Sequence, residues 1–300
     1  MGVYLIMQYK ESFGRKFFLF FNYTFIIAVA LLCLFPVINI LAISFSSAAA
    51  SEAGIVKLWP VDFTLQAYRF VINEHKFYTS FFVTIKRLGI GVPVNMLLTL
   101  LAAYPISKSN KVFKFKQAYV WYFMVTILFG GGLIPTYLVV RYLGLIDKIW
   151  ALIIPSAVPV FNIILLQNFF KALPQEIEDA AFMDGAGHWT ALFKIYLPLS
   201  KPAIATLTLF CSVGHWNAWF DGMIYMNRAV NYPLQTYLQT VIVQRNIDLI
   251  TLRNIEDIMN VCEKNSRAAQ IFVAMAPILL IYPFVQKFFS KGIIYGSVKG

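Results

Sequence analysis

The sequence predicts an all-helical membrane protein, and three observations carry that prediction. Of its 300 residues, 59% are hydrophobic and only 13% are charged, far below the roughly one quarter charged in soluble domains. Apolar runs near the roughly 20 residues that one helical crossing of the hydrocarbon core needs recur along the whole chain. None shows the alternating ten-residue pattern of an outer-membrane barrel, so a spanning backbone must satisfy its hydrogen bonds within helices.

Six spans result, at about 17–43, 80–106, 117–141, 148–171, 201–226 and 268–289, and they make residues 1–300 one transmembrane domain. The first begins after "YKESFGRK" and stays apolar to Phe45, much longer than the ~7–15 residues of a signal-peptide core, so it is a retained helix. The third contains Gly130, Gly131 and Gly132, which either loosen that helix or allow close packing. Cys33, Cys211 and Cys262 are too widely spaced for a disulfide framework and read as packing thiols.

The segment "SKSNKVFKFK" sets the orientation. Lys108, Lys111, Lys114 and Lys116 stand there without an acid, and such short basic connections are retained on the cytoplasmic side. Six spans then place both termini and residues 172–200 inside as well. The outer basic residues lie mostly in the long segments 44–79 and 227–267, where acids accompany them and the rule is weak. The net charge of +11 is thus mainly a mark of topology, with no folded basic patch for nucleic acid.

Residues 178–184 of the inner loop 172–200 alone hold three of the chain's 14 carboxylates. Pro174 suits the start of a helix, and Glu176, Glu178 and Asp179 come next, where negative charge favours the N-terminus. "PQEIEDAAFMD" is therefore a short helix with Ile177, Ala180, Ala181 and Asp184 on one face. Gly185 and Gly187 end it, since glycine adopts positive φ without steric cost, and "HWTALFKIYL" forms a second helix ending at Pro198. Two readings stand at this point: a compact docking knob, or a solvated loop that caps two spans.

The stretch "DAA", Gly185 three residues on, Ile195 nine further, then Leu197 and Pro198, resembles the EAA loop of ABC importer permeases (E-A-A-x3-G-x9-I-x-L-P). Asp179 replaces the usual Glu, with Glu178 just before it. The resemblance implies a type I importer permease fold in a bacterial plasma membrane. The loop would dock on a separate ATPase through Glu178, Asp179, Ala180, Ala181, Asp184, Gly185, Ala186, Ile195, Leu197 and Pro198. "FTLQAYRFV", "GGLIPTYLVVRYLGLIDKIWALIIP", "YPLQTYL" and "YPFVQKFFSKGIIYGSVKG" look like the carbohydrate branch, the smaller permease of maltose-type systems in its complex-oligosaccharide subgroup. That branch implies a second permease subunit, two ATPase subunits and an external solute-binding protein. In it the tail reaches the ATPase, making Gly296, Lys299 and Gly300 contacts unless they are a frayed terminus.

The chain has no G-x4-G-K-[ST] phosphate loop, so it is not the hydrolysing subunit, and ATP and Mg belong to partners. His75, His188 and His215 lack ligand spacing, so no metal site is expected. For a sugar pathway the fifth span offers Trp216 and Trp219 as stacking faces and His215, Asn217 and Asp221 as hydrogen-bonding groups. The same residues also read as packing or interface anchors. Asn162, Gln167 and Asn168 are weaker candidates. Lys86 and Arg87 either snorkel to the outer surface or face an anionic sugar. Two rivals remain, an ion-coupled secondary transporter and an ABC permease for a non-sugar solute. Asp221 alone lies well inside a span and no repeat is visible, which disfavours the first. The sequence names neither the sugar nor its charge.

Overall fold

The structure is a computed structural model and describes residues 13–243 and 264–280, which contain helices and turns but no strand. The described residues fall into two compact units, one of 13–71 with 264–272 and the other of 72–243 with 273–280.

The first unit is led by α1 (Phe13–Ser44), long and apolar enough to cross a membrane and almost wholly exposed along its length. After it, Ser47 caps the short α2 (Ala48–Glu52), its hydroxyl accepting from the Ala50 amide at 3.3 Å. Phe45 stacks on Phe63 and leans on Tyr68 of α3 (Gln66–Asn73), with ring centroids 5.4 and 4.8 Å apart. The Ser46 hydroxyl donates to the Ala42 carbonyl and accepts from the Val61 amide, fixing the turn after α1.

In the second unit α4 (His75–Ser107) is the central helix and, among the described residues, the other uninterrupted one able to cross a membrane. It packs against α7 (Val160–Lys171), α10 (Lys201–Asn217) and α12 (Leu234–Val243). Between these lie α5 (Lys116–Leu128), α6 (Leu133–Tyr142), α8 (Gln175–Met183), α9 (His188–Leu199) and α11 (Phe220–Tyr225). The main core gathers Met96, Leu100, Tyr104, Ile163, Phe170, Tyr196 and Leu207 from α4, α7, α9 and α10.

Three expected spans are not single straight helices. The third breaks at Phe129–Gly132, where Gly132 takes φ +82°, and α5 and α6 meet at 113°. The glycine run thus unwinds the span, because only glycine enters that region without Cβ strain. The fourth begins as 3₁₀ turns over Ile149–Ser156 and bends by 50° into α7. Pro155 and Pro159 each remove a donor there, so a continuous helical ladder cannot form. The fifth ends as a helix at Asn217, with Ala218 extended before α11. Of the sixth, a helix over 264–280 is described, and its expected end at 289 lies outside the described residues.

Candidate functional site

Two polar clusters sit on α4, about six turns or roughly 30 Å apart along it. The first is built round Arg87, whose side chain is only 2% exposed. Its guanidinium forks onto Asp221 of α11, Nη1 to Oδ1 at 3.2 Å and Nη2 to Oδ2. Nη2 also donates to the Leu152 carbonyl at 3.1 Å, and Nε to His215 Nδ1 at 3.1 Å. Arginine Nε is a donor only, so Nδ1 accepts and Nε2 carries the imidazole proton. Nε2 then donates to Asn95 Oδ1 at 2.6 Å, while Asn95 Nδ2 donates to the carbonyls of Ser156 and Ala157. The charge is thus paired and hydrogen-bonded, as a dry bundle requires.

This arrangement also answers a local weakness. Pro93 lies inside α4 and removes one of its backbone hydrogen bonds. The His215 ring bonds to side chains from both sides of that proline, Arg87 before it and Asn95 after it. Gly91 makes room, for a Cβ there would lie 2.7 Å from Nε2. The imidazole is a splint laid across the proline.

The second cluster closes the other end of α4. Lys108, the residue after the helix, donates from Nζ to Glu178 Oε1 of α8 at 2.6 Å. Tyr196 of α9 donates its hydroxyl to Glu178 Oε2 at 2.5 Å. The ammonium lies 4.1 Å from the Tyr104 ring centroid and 3.8 Å from that of Tyr196, a favourable seat for a cation on two aromatic faces. Burial lowers the Lys108 pKa from its ordinary value, and the bond and charge of Glu178 oppose that shift. Burial, then the bond to Glu178, holds the Tyr196 phenol above its ordinary value, so it stays a donor.

The helix pair around this cluster has the expected form, with differences. α8 ends at Gly185, φ +81°, where the Ala186 amide bonds back to the Ala181 carbonyl and Gly185 to Phe182, the paired bonds of a Schellman cap. Gly187 has φ −84° and simply precedes α9, so one glycine makes the turn, not two. α9 is π-helical over Ala191–Tyr196 and passes Pro198 to reach Leu199. Asp179, Ala180, Asp184 and Pro198 are exposed or nearly so, and Ala181 and Ala186 half-buried. Glu178 instead turns inward, since four residues separate it from Phe182, which packs on the core with Ile195 and Leu197. Around the outward acids stand Met183 at 88% and Trp189 at 67% exposure.

The residues expected to line a pathway are dispersed. Trp216 is 4% exposed, packs edge-on to Phe81, and donates Nε1 to the Ala274 carbonyl at 3.2 Å, so no ring face is open. His215 and Asp221 are committed to Arg87, whereas Asn217 and Trp219 are exposed. Asn162 bonds Cys211 and Gln167 the Ile106 carbonyl, leaving Asn168 exposed. Arg87 does not snorkel: the aspartate 134 positions away holds it inside. Composition showed Lys86 and Arg87 in an apolar run but not which of the two faced inward. Gly296, Lys299 and Gly300 lie outside the described residues.

A bundle of apolar helices able to cross a membrane, with buried ion pairs between them and an aromatic, acid-bearing helix pair at one end, defines a polytopic membrane protein. The chain belongs to the family of binding-protein-dependent transport system inner membrane components, which it matches over residues 5–295. It is 38% identical over 278 residues to the polygalacturonan/rhamnogalacturonan transport system permease protein YtcP of Bacillus subtilis (strain 168), covering 93% of this chain and 96% of that one. It is 39% identical over 281 residues to protein LplC of the same organism, covering 93% and 94%. A solved structure of a bacterial ABC transporter involved in the import of the acidic polysaccharide alginate contains a chain with TM-score 0.85 and 35% identity, covering 93% of this chain and 99% of that one. The chain is thus a membrane component and not the ATPase, which is a separate subunit in this family.

Removing one member of the Arg87–Asp221 pair should cost more than removing both. Asp221→Leu strands a buried guanidinium and is expected to destabilise by about 2–3 kcal/mol, below the usual cost for a fully buried pair because Asp221 is 25% exposed. Arg87→Met combined with Asp221→Leu should recover part of that loss. Thermal unfolding in detergent checks the order, and a double variant less stable than Asp221→Leu would refute it.

Proposed function

We propose that this chain is the permease subunit of an ATP-driven importer for uronate-containing oligosaccharides. The observation that carries the reading is its end-to-end similarity to a permease named for polygalacturonan and rhamnogalacturonan and to a chain of an alginate importer. Both names denote acidic polysaccharides. An external binding protein delivers the sugar, a second permease completes the pathway, and two ATPase subunits bind ATP and Mg and drive alternating access. Six crossings, the last of which includes 273–280, leave both termini and 172–200 in the cytoplasm.

In this arrangement α8 and α9 form the coupling loop. Asp179, Ala180, Ala181, Asp184, Ala186 and Pro198 provide the docking face, with Met183 and Trp189 as its apolar anchors. Ile195 and Leu197 hold the loop to the core. Gly296, Lys299 and Gly300 are proposed as further ATPase contacts. Asn217 and Trp219 are the best-placed pathway residues because they are exposed. His215 and Asp221 act through Arg87, and Trp216 packs.

Two measurements test this. Vesicles holding the full importer should accumulate oligogalacturonides in the presence of binding protein and ATP, and maltooligosaccharides at least about tenfold less, a gap of roughly 1.4 kcal/mol. Equal uptake of the neutral sugar would overturn the uronate assignment. Gly185→Val meets no neighbour, since nothing lies within 4 Å of a Cβ there, but its φ of +81° strains any branched side chain by roughly 1–2 kcal/mol. That variant should insert normally and co-purify less ATPase, and undiminished co-purification would remove 172–200 from the docking role.

A further inference from the structure

We propose that Lys108 is a positioning residue for energy coupling: acting through Glu178 and Tyr196, it fixes the docking helix α8 to the end of α4. The inference rests on reading 172–200 as the ATPase-docking loop and names the element that carries its motion inward. Three features separate this lysine from its neighbours. Lys111 and Lys114 of the same basic segment are exposed, whereas the Lys108 side chain is 6% exposed and its Glu178 partner 13%. Its ammonium lies between the Tyr104 and Tyr196 rings, which are edge-on with centroids 5.2 Å apart. Both oxygens of Glu178 are taken, one by a residue at the end of α4 and one by α9.

The consequence is a division of labour along α8. One turn face, Glu178 and Phe182, is tied down, and the opposite face, Asp179, Ala180 and Asp184, is free. A partner can therefore grip the free face while the tied face hauls on α4. α4 is continuous from His75 to Ser107 although it contains Pro93 and Pro105, and the His215 splint spans Pro93. Displacement at Lys108 is then delivered to the Arg87 cluster, and from there to α11 and the Leu152 turn. A loosened lysine would leave docking intact and waste the stroke.

The test uses the reconstituted importer with Lys108→Met, Glu178→Gln, the double variant, Lys108→Arg and Tyr196→Phe. Membrane-inserted protein and co-purified ATPase report folding and docking, and sugar accumulated per ATP hydrolysed reports coupling. Lys108→Met and Glu178→Gln should keep wild-type amounts of ATPase and lose roughly tenfold in sugar per ATP, within the span seen for mutations on a coupling path. The double variant should be no worse than either single one, because both remove the same node. Lys108→Arg should retain most of the coupling, and Tyr196→Phe, which deletes a single hydrogen bond, should fall between. Full coupling in either single variant, or losses that multiply in the double, would overturn the positioning role while leaving docking in place. Loss of co-purified ATPase from inserted Glu178→Gln protein would also overturn it and make Glu178 a docking residue. If wild-type chain and Gly185→Val bind the ATPase alike, the docking reading fails instead.

Discussion

A charged guanidinium inside an apolar bundle dictates the arrangement of its surroundings. Arg87 has five donors and no means of losing its proton, so α11, the Leu152 turn and α10 must each bring an acceptor to it. Asp221 supplies the countercharge, and the bidentate geometry fixes direction as well as distance. Such a pair is costly to desolvate and not by itself a source of stability. Its value here is specificity: helices that break or turn at residues 153–159 and 217–220 have one place where their polar groups are satisfied.

The same logic orders the other end of α4. Adjacent acids, Glu178 and Asp179, have opposite fates because a helix turns about 100° per residue. Glu178 falls on the side of Phe182 and meets a lysine between two tyrosines, while Asp179 faces out. An acid-rich loop in a basic protein thus combines one structural carboxylate with outward ones. The Schellman cap at Gly185 then aims α9 so that Tyr196 reaches back to the inward acid.

Helix type and the main features of the loop were legible because local chemistry determines them. Pro174 and the acids after it start α8, Gly185 ends it, and three successive glycines unwind the third span. What was hidden depends on partners far away in the chain. Arg87 finds an aspartate 134 residues on, and Lys108 a glutamate 70 residues on, and no periodicity encodes such pairings. The bends of the fourth and fifth spans were missed for a related reason. Pro155, Pro159 and the extended Ala218 lie in uninterrupted apolar stretches, and hydropathy reports composition but not continuity of the ladder. Trp216 stayed open between stacking and packing because an aromatic in a span looks the same whether its face is open or pressed against Phe81.

With Pro93 splinted near the middle of α4 and a clamped lysine at its end, α4 and α8 should behave as one rigid piece during transport. Spin labels at Lys76, near the start of α4, and Asp184, at the end of α8, are both on exposed positions within the second unit. Pulsed electron paramagnetic resonance can read their separation in the full importer, with and without bound ATP. A rigid piece keeps that distance the same in both states, and Lys108→Met frees it to vary. A shift of about one helical turn, roughly 5 Å, between the two states of the wild-type protein would contradict the account.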